Sequence, residues 1–207
     1  MARGPLPWLA PAVLVGSLAP AVSMLMRARS GGLGANPIAE ALNELGLTAL
    51  ILLIASLAAT PLKTLAGWTW PIRIRRLVGL LAFAYAVLHV TVYVALDQSF
   101  AWRGIVEDVI KRNFILVGFA AFTLLVPLAA TSTDWSVRRL GYVRWKRGHT
   151  LVYPAALLAS IHFIWRVKKD LTEPLAYAAI LGLLLLLRVV WRMRRKPAAA
   201  VRLSAAT

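Results

Sequence analysis

The sequence predicts an all-α membrane protein, a bundle of six transmembrane helices with both termini on the cytoplasmic side. Three observations predict it. First, 60% of the 207 residues are hydrophobic and only 15% are charged, with a mean hydropathy of +0.72. A soluble domain of this size is about 45–50% apolar and about 25% charged. Second, the apolar residues gather into six stretches, each near the roughly 20 residues that a spanning helix needs. Third, the basic residues are distributed unequally between alternate loops, as the positive-inside bias requires.

The first stretch, residues 5–26, follows Arg3 in the manner of a secretion signal. Its apolar run is too long for a signal core and ends before Arg27 and Arg29, so a retained helix is expected. The link Gly31-Gly32-Leu33-Gly34-Ala35-Asn36-Pro37 is glycine-rich, but no strand precedes it. It reads as a turn, with Asn36 as N-cap and Pro37 at the first helical position, rather than as a phosphate loop. The remaining helices are expected at 45–61, 77–96, 114–130, 150–165 and 174–191, and a short interfacial helix at 99–112. No internal repeat is apparent, and the whole chain, 1–207, is expected to be one domain.

With a cytoplasmic N-terminus, the inside segments carry fifteen Lys and Arg and one acid, Asp134, while the outside loops carry eight Lys and Arg and seven acids. Only Lys and Arg set orientation, so this bias directs the N- and C-termini inward. It also accounts for most of the net charge of +16 without nucleic acid as a partner; the basic face meets membrane lipid. All eight tryptophans fall at or near predicted helix ends, where an aromatic belt belongs. The chain has no cysteine, which excludes disulfides, thiolate metal sites and covalent haem attachment.

Three histidines remain: His89, His149 and His162. Ionisable residues inside a membrane are costly and therefore functional candidates, the competing role being interhelical packing. His89 is twelve residues into the third helix, about 18 Å from its inner end, and His162 is about 20 Å beyond His149, so the two lie at similar depth in the outer half of the membrane. Two level imidazoles on different helices suit the two axial positions of a haem, which without cysteine is non-covalent haem b. Zinc wants more protein ligands, and no Asp or Glu falls inside a predicted span to supply them or to build a proton relay. His149 lies near the inner surface on a different face from His162, with Pro154 between them as a candidate kink. It is the candidate ligand of a second haem, but at the matching depth of the third helix stand Arg75 and Arg76 rather than a histidine.

These residues, with Ile72-Arg73-Ile74-Arg75-Arg76-Leu77-Val78-Gly79-Leu80, Leu88-His89, Thr131-Ser132-Thr133, Ile161-His162 and Trp165, carry a family resemblance over nearly the whole chain. It resembles the haem-binding membrane subunits of the periplasmic protein-methionine-sulfoxide reductase system, in the ferric-reductase-like transmembrane superfamily. The resemblance implies a multi-pass protein of the bacterial inner membrane. Its implied role is to take electrons from the quinone pool or a flavin reductase and pass them through haem b to a periplasmic molybdenum-containing catalytic subunit, which repairs oxidised methionines. It also implies FMN binding. Related ferric reductases and NADPH oxidases carry two histidine pairs and two stacked haems; Arg75 and Arg76 stand where one of those histidines would lie.

Arg73, Arg75 and Arg76 form a basic cluster at the inner face, suited either to lipid headgroups or to a haem propionate, flavin phosphate or quinol. The chain ends soon after the sixth helix, so no NADPH-binding domain is expected. No nucleophile or acid–base pair is visible, which assigns substrate chemistry to a partner. Two alternatives stand beside this: a self-contained transmembrane ferric or quinol oxidoreductase, and a haem-free transporter or assembly factor with packing histidines.

Overall fold

A computed structural model describes residues 6–204, with side chains to Arg194, and among the described residues all the regular secondary structure is helical. The helices are α1 (Leu9–Arg29), α2 (Pro37–Ala66), α3 (Trp70–Val92), α4 (Trp102–Lys111), α5 (Asn113–Ala130), α6 (Asp134–Leu140), α7 (Tyr142–Gly148), α8 (Val152–Arg166) and α9 (Thr172–Ser204). A π-helical turn, Tyr93–Asp97, extends α3, and a 3-10 turn, His149–Leu151, leads into α8. Of the predicted inward charges, Arg3 and the side chains of Arg195, Lys196 and Arg202 lie outside the described residues, as does Pro5 of the first predicted span.

Among the described residues, five helices are long and apolar enough to cross a membrane: α1, α2, α3 with its π turn, α5 and α9. The stretch expected at 150–165 forms α8, which has fifteen residues, about 22 Å of helix. It is shortened at its start by Pro154, which has no N–H to close the preceding turn; the chain enters through the 3-10 turn instead. α2 is far longer than the expected 45–61. Asn36 caps it, accepting a hydrogen bond from the Ala39 N–H at 3.1 Å, and Pro37 opens it, as the sequence suggested. Its first two turns contain Glu40 and Glu44, so carboxylates do enter a spanning helix; Glu44 is paired with Arg27 of α1. α3 likewise starts seven residues before the expected 77, taking in all three arginines of the basic cluster.

Two hairpins dominate the bundle: α2 packs along α3, and α5 along α8. The buried core joins them through Leu50, Leu53, Ile54 and Leu57 of α2, Ala82 of α3, Ala156 of α8 and Leu181 of α9. Alanine at the crossing points lets the backbones approach closely, which is how helices gain contact in lipid. α1 lies on the outside. The Tyr85 hydroxyl of α3 donates to the Ser17 carbonyl and accepts from the Ala21 N–H at 3.2 Å, entering the α1 ladder beside Pro20. A short helix stands in the 99–112 stretch, α4, which buries Ile105 and exposes Trp102, Val106 and Ile110.

Candidate functional site

The two hairpins each deliver one histidine to a common point. His89 sits on the last turn of α3 and His162 near the end of α8; both side chains are half-buried, and their ring centres are 6.2 Å apart with planes at 85°. The His89 Nδ1–H donates to the Leu42 carbonyl of α2 at 2.9 Å, and the His162 Nδ1–H donates to the Phe114 carbonyl of α5 at 2.7 Å. Committing Nδ1 to a carbonyl leaves Nε2 unprotonated, with its lone pair free.

One turn beyond each accepting carbonyl stands a glycine. A Cβ on Gly46 would lie 3.1 Å from His89 Nδ1, and one on Gly118 would lie 2.7 Å from His162 Nδ1. The glycines let each ring lie flat against its neighbouring helix. The same unit therefore occurs twice: carbonyl at 42 or 114, glycine four residues on, histidine at 89 or 162 on the partner helix. Ala86-Val87-Leu88-His89 and Ala159-Ser160-Ile161-His162 match within it. The molecule thus contains a local repeat that the sequence alone does not announce.

Between the rings and toward one end of the bundle opens a cavity of about 300 Å³, at the small end of the roughly 300–1,000 Å³ range of ligand sites. Its walls are apolar and aromatic, with Phe114, Phe119, Phe122 and Phe163 among them. An imidazole nitrogen bonds a first-row metal at about 2.0 Å and lies about 1.2 Å from its ring centre, so imidazoles on opposite sides of one metal have centres about 6.4 Å apart. The observed 6.2 Å between ring centres matches the spacing of two imidazoles about a single metal. Among the described residues no group of three or more His, Asp or Glu is placed to hold a metal ion by itself. A metal that brings its own equatorial ligands, as iron in a porphyrin does, is the one this pair suits.

His149 is elsewhere. It sits on the 3-10 turn at the opposite end of the bundle, its ring 3.9 Å from that of Trp145, with Nδ1 3.1 Å from the Trp145 carbonyl and Nε2 3.4 Å from Ser132 Oγ. No second histidine meets it. Arg75 is half-buried in the same region and acts electrostatically on His149, Tyr153 and Arg188. Arg76 is exposed and paired with Asp134 at 2.6 Å, so the structure separates it from Arg75; Arg73 is on the exposed flank. Sequence reasoning missed Arg188. It lies within α9, donates to the Leu57 carbonyl at 3.1 Å and to the Tyr153 hydroxyl, and covers the Tyr153 ring at 5.1 Å. Its signal was present, an arginine interrupting a run of leucines, the kind of intramembrane charge that marks a site.

The sequence matches the family described as ferric reductase like transmembrane component over residues 45–160, a stretch that contains His89, His149 and both glycines and ends just before His162. It is 54% identical over 185 residues to the protein-methionine-sulfoxide reductase heme-binding subunit MsrQ of Rhodospirillum rubrum, covering 89% of each chain. The chain belongs to the MsrQ family. The MsrQ of Deinococcus radiodurans is 51% identical over 191 residues, with 91% of this chain and 94% of the relative covered. That of Xanthomonas campestris pv. campestris is 52% identical over 163 residues, covering 79% and 74%. No solved structure matches. As a member of the MsrQ family with five apolar helices, the chain is a multi-pass protein of the bacterial inner membrane.

Proposed function

We propose that the protein is a haem b-containing electron-transfer subunit. It passes electrons from the quinone pool, or from a flavin reductase, to a periplasmic molybdenum-dependent methionine-sulfoxide reductase that repairs oxidised proteins. The observation that carries the reading is the His89/His162 pair, two imidazoles with Nδ1 satisfied by carbonyls and ring centres at single-metal spacing. Support also comes from the family, whose relatives bear the description of heme-binding subunits of protein-methionine-sulfoxide reductase.

In this reading His89 and His162 would hold the haem iron, each through the Nε2 that its Nδ1–carbonyl hydrogen bond leaves unprotonated. Haem, when bound, supplies a one-electron carrier. The carbonyls of Leu42 and Phe114 hold the tautomer and raise the basicity of each ligand. The phenylalanine-rich walls exclude water from the site. We take α8 as a sixth, short span and the orientation as N-in and C-in. That puts the histidine pair in the outer half, near the periplasmic partner, and the Arg75/His149/Arg188 cluster at the inner face. Electron input is assigned to that inner face, together with the quinone and the FMN implied by the resemblance; its guanidinium groups suit an anionic or carbonyl headgroup. One haem is assigned to the pair; His149 is the residue a second would use.

The purified protein should give a reduced-minus-oxidised spectrum of b type, and His89→Ala and His162→Ala should each abolish it. Full haem content in both variants would overturn the assignment.

A further inference from the structure

We infer that Arg166 is the binding partner of a carboxylate on the group held by His89 and His162, and that it raises the reduction potential there. The inference rests on the reading of that pair as a haem site. Three charged residues line the cavity: Asp97, Arg112 and Arg166. Two are already engaged. Arg112 pairs with Asp108 at 3.1 Å, and Asp108 also accepts from the Tyr93 hydroxyl at 3.2 Å and the Gln98 amide at 3.0 Å. Asp97 accepts from Gln98 at 3.3 Å. Arg166 is half-buried and, among the described residues, has neither an ion pair nor a side-chain hydrogen bond.

Its position is specific. Arg166 follows His162 by one turn of α8, helical side chains lean toward the N-terminus, and both residues line the same cavity. Its charge acts on both His89 and His162. A guanidinium has five N–H donors and no acceptor, so removing it partly from water without an acceptor is unfavourable. A planar, two-oxygen anion satisfies the fork best. In an otherwise apolar cavity, a porphyrin's only anionic groups are its propionates, and they must emerge at the polar mouth, where Arg166 is the cation without an acid. A lipid phosphate at the membrane surface offers similar chemistry from another source.

The test uses the full chain purified with its haem, as wild type, Arg166→Gln and Arg166→Lys, with redox titrations across the neutral pH range. Haem content and the b-type spectrum are measured alongside. A cation beside the site stabilises the reduced form, so Arg166→Gln should shift the reduction equilibrium about tenfold toward the oxidised form, or about 59 mV for one electron. It should also create a pH dependence. Besides the two ligand histidines, the groups lining that mouth are Tyr93 and Asp97 on the π turn and Arg112 just before α5; Asp108 of α4 is not a lining residue but is paired with Arg112 and accepts from Tyr93. Without Arg166 the carboxylate binds protons more readily, and more so when the iron is reduced, so the potential of the variant should fall as pH rises while wild type stays flat. Arg166→Lys keeps the charge but not the fork, so it should move the same way by less. It decides the matter if the Gln variant carries no haem. Full haem with unchanged potential and pH slope in either variant overturns the inference and returns Arg166 to lipid. A wild-type protein without haem would instead remove the reading beneath it.

Discussion

Gly118→Ala and Gly46→Ala place the same methyl group against two histidines at different distances, and the distances set different outcomes. At 118 the new Cβ would stand 2.7 Å from Nδ1 and 2.9 Å from Cε1 of His162. Ordinary carbon contact begins near about 3.5 Å, so ring and helix must separate by about 0.8 Å. The ring cannot simply swing aside, because its Nδ1 is bonded at 2.7 Å to Phe114, one turn back on the same helix. Overpacking of this kind costs about 1–3 kcal/mol, against about 1 kcal/mol gained from the better helix propensity of alanine. The net loss reaches about 2 kcal/mol, roughly 30-fold in an equilibrium. At 46 the Cβ would meet His89 Nδ1 at 3.1 Å, a shortfall of only about 0.4 Å, and gain and cost nearly cancel. Haem-to-protein ratio by pyridine haemochrome, with thermal unfolding in the same detergent, reads both. Gly118→Ala should lose most of its haem and Gly46→Ala should resemble wild type. A Gly118→Ala protein with wild-type haem content and melting curve, or two equally damaged variants, would refute the reasoning.

Arg188→Leu removes the donor to the Leu57 carbonyl and the Tyr153 hydroxyl. Unmet partners cost about 1–3 kcal/mol, so its melting temperature should fall; Tyr153→Phe added to it should cost little more, and full additivity of the two losses would show that the contact is not the source. The cysteine-free chain also permits a topology test. In intact cells a membrane-impermeant maleimide should label Lys168→Cys but not Arg138→Cys until the membrane is opened, and the reverse pattern would overturn the N-in, C-in orientation.

The sequence revealed those features that depend on hydropathy and counting. α5 falls within a residue of its expected place because both ends are marked by polar residues. The histidine pair was legible from helix rise alone, since depth follows from residue number. What failed did so for physical reasons. The early turns of α2 and α3 were invisible because Glu40, Glu44 and Arg73–Arg76 lower the hydropathy there; Arg27 neutralises Glu44 from another helix, which no local window records. The glycines behind the histidines were unreadable, since a glycine in an apolar helix looks the same whether it faces lipid, as open space around Gly79 and Gly182 allows, or an imidazole. Arg188 was absorbed by the leucines around it.

The doubled hairpin has a consequence for how the protein is made. Each histidine takes its orientation from a carbonyl and a glycine on the helix just before it in its own hairpin, within 42–89 for one and 114–162 for the other. Neither ring needs the other hairpin to find its tautomer or its tilt. Each half can therefore be set as soon as its second helix folds against its first, and the final docking step has only to bring two finished surfaces face to face.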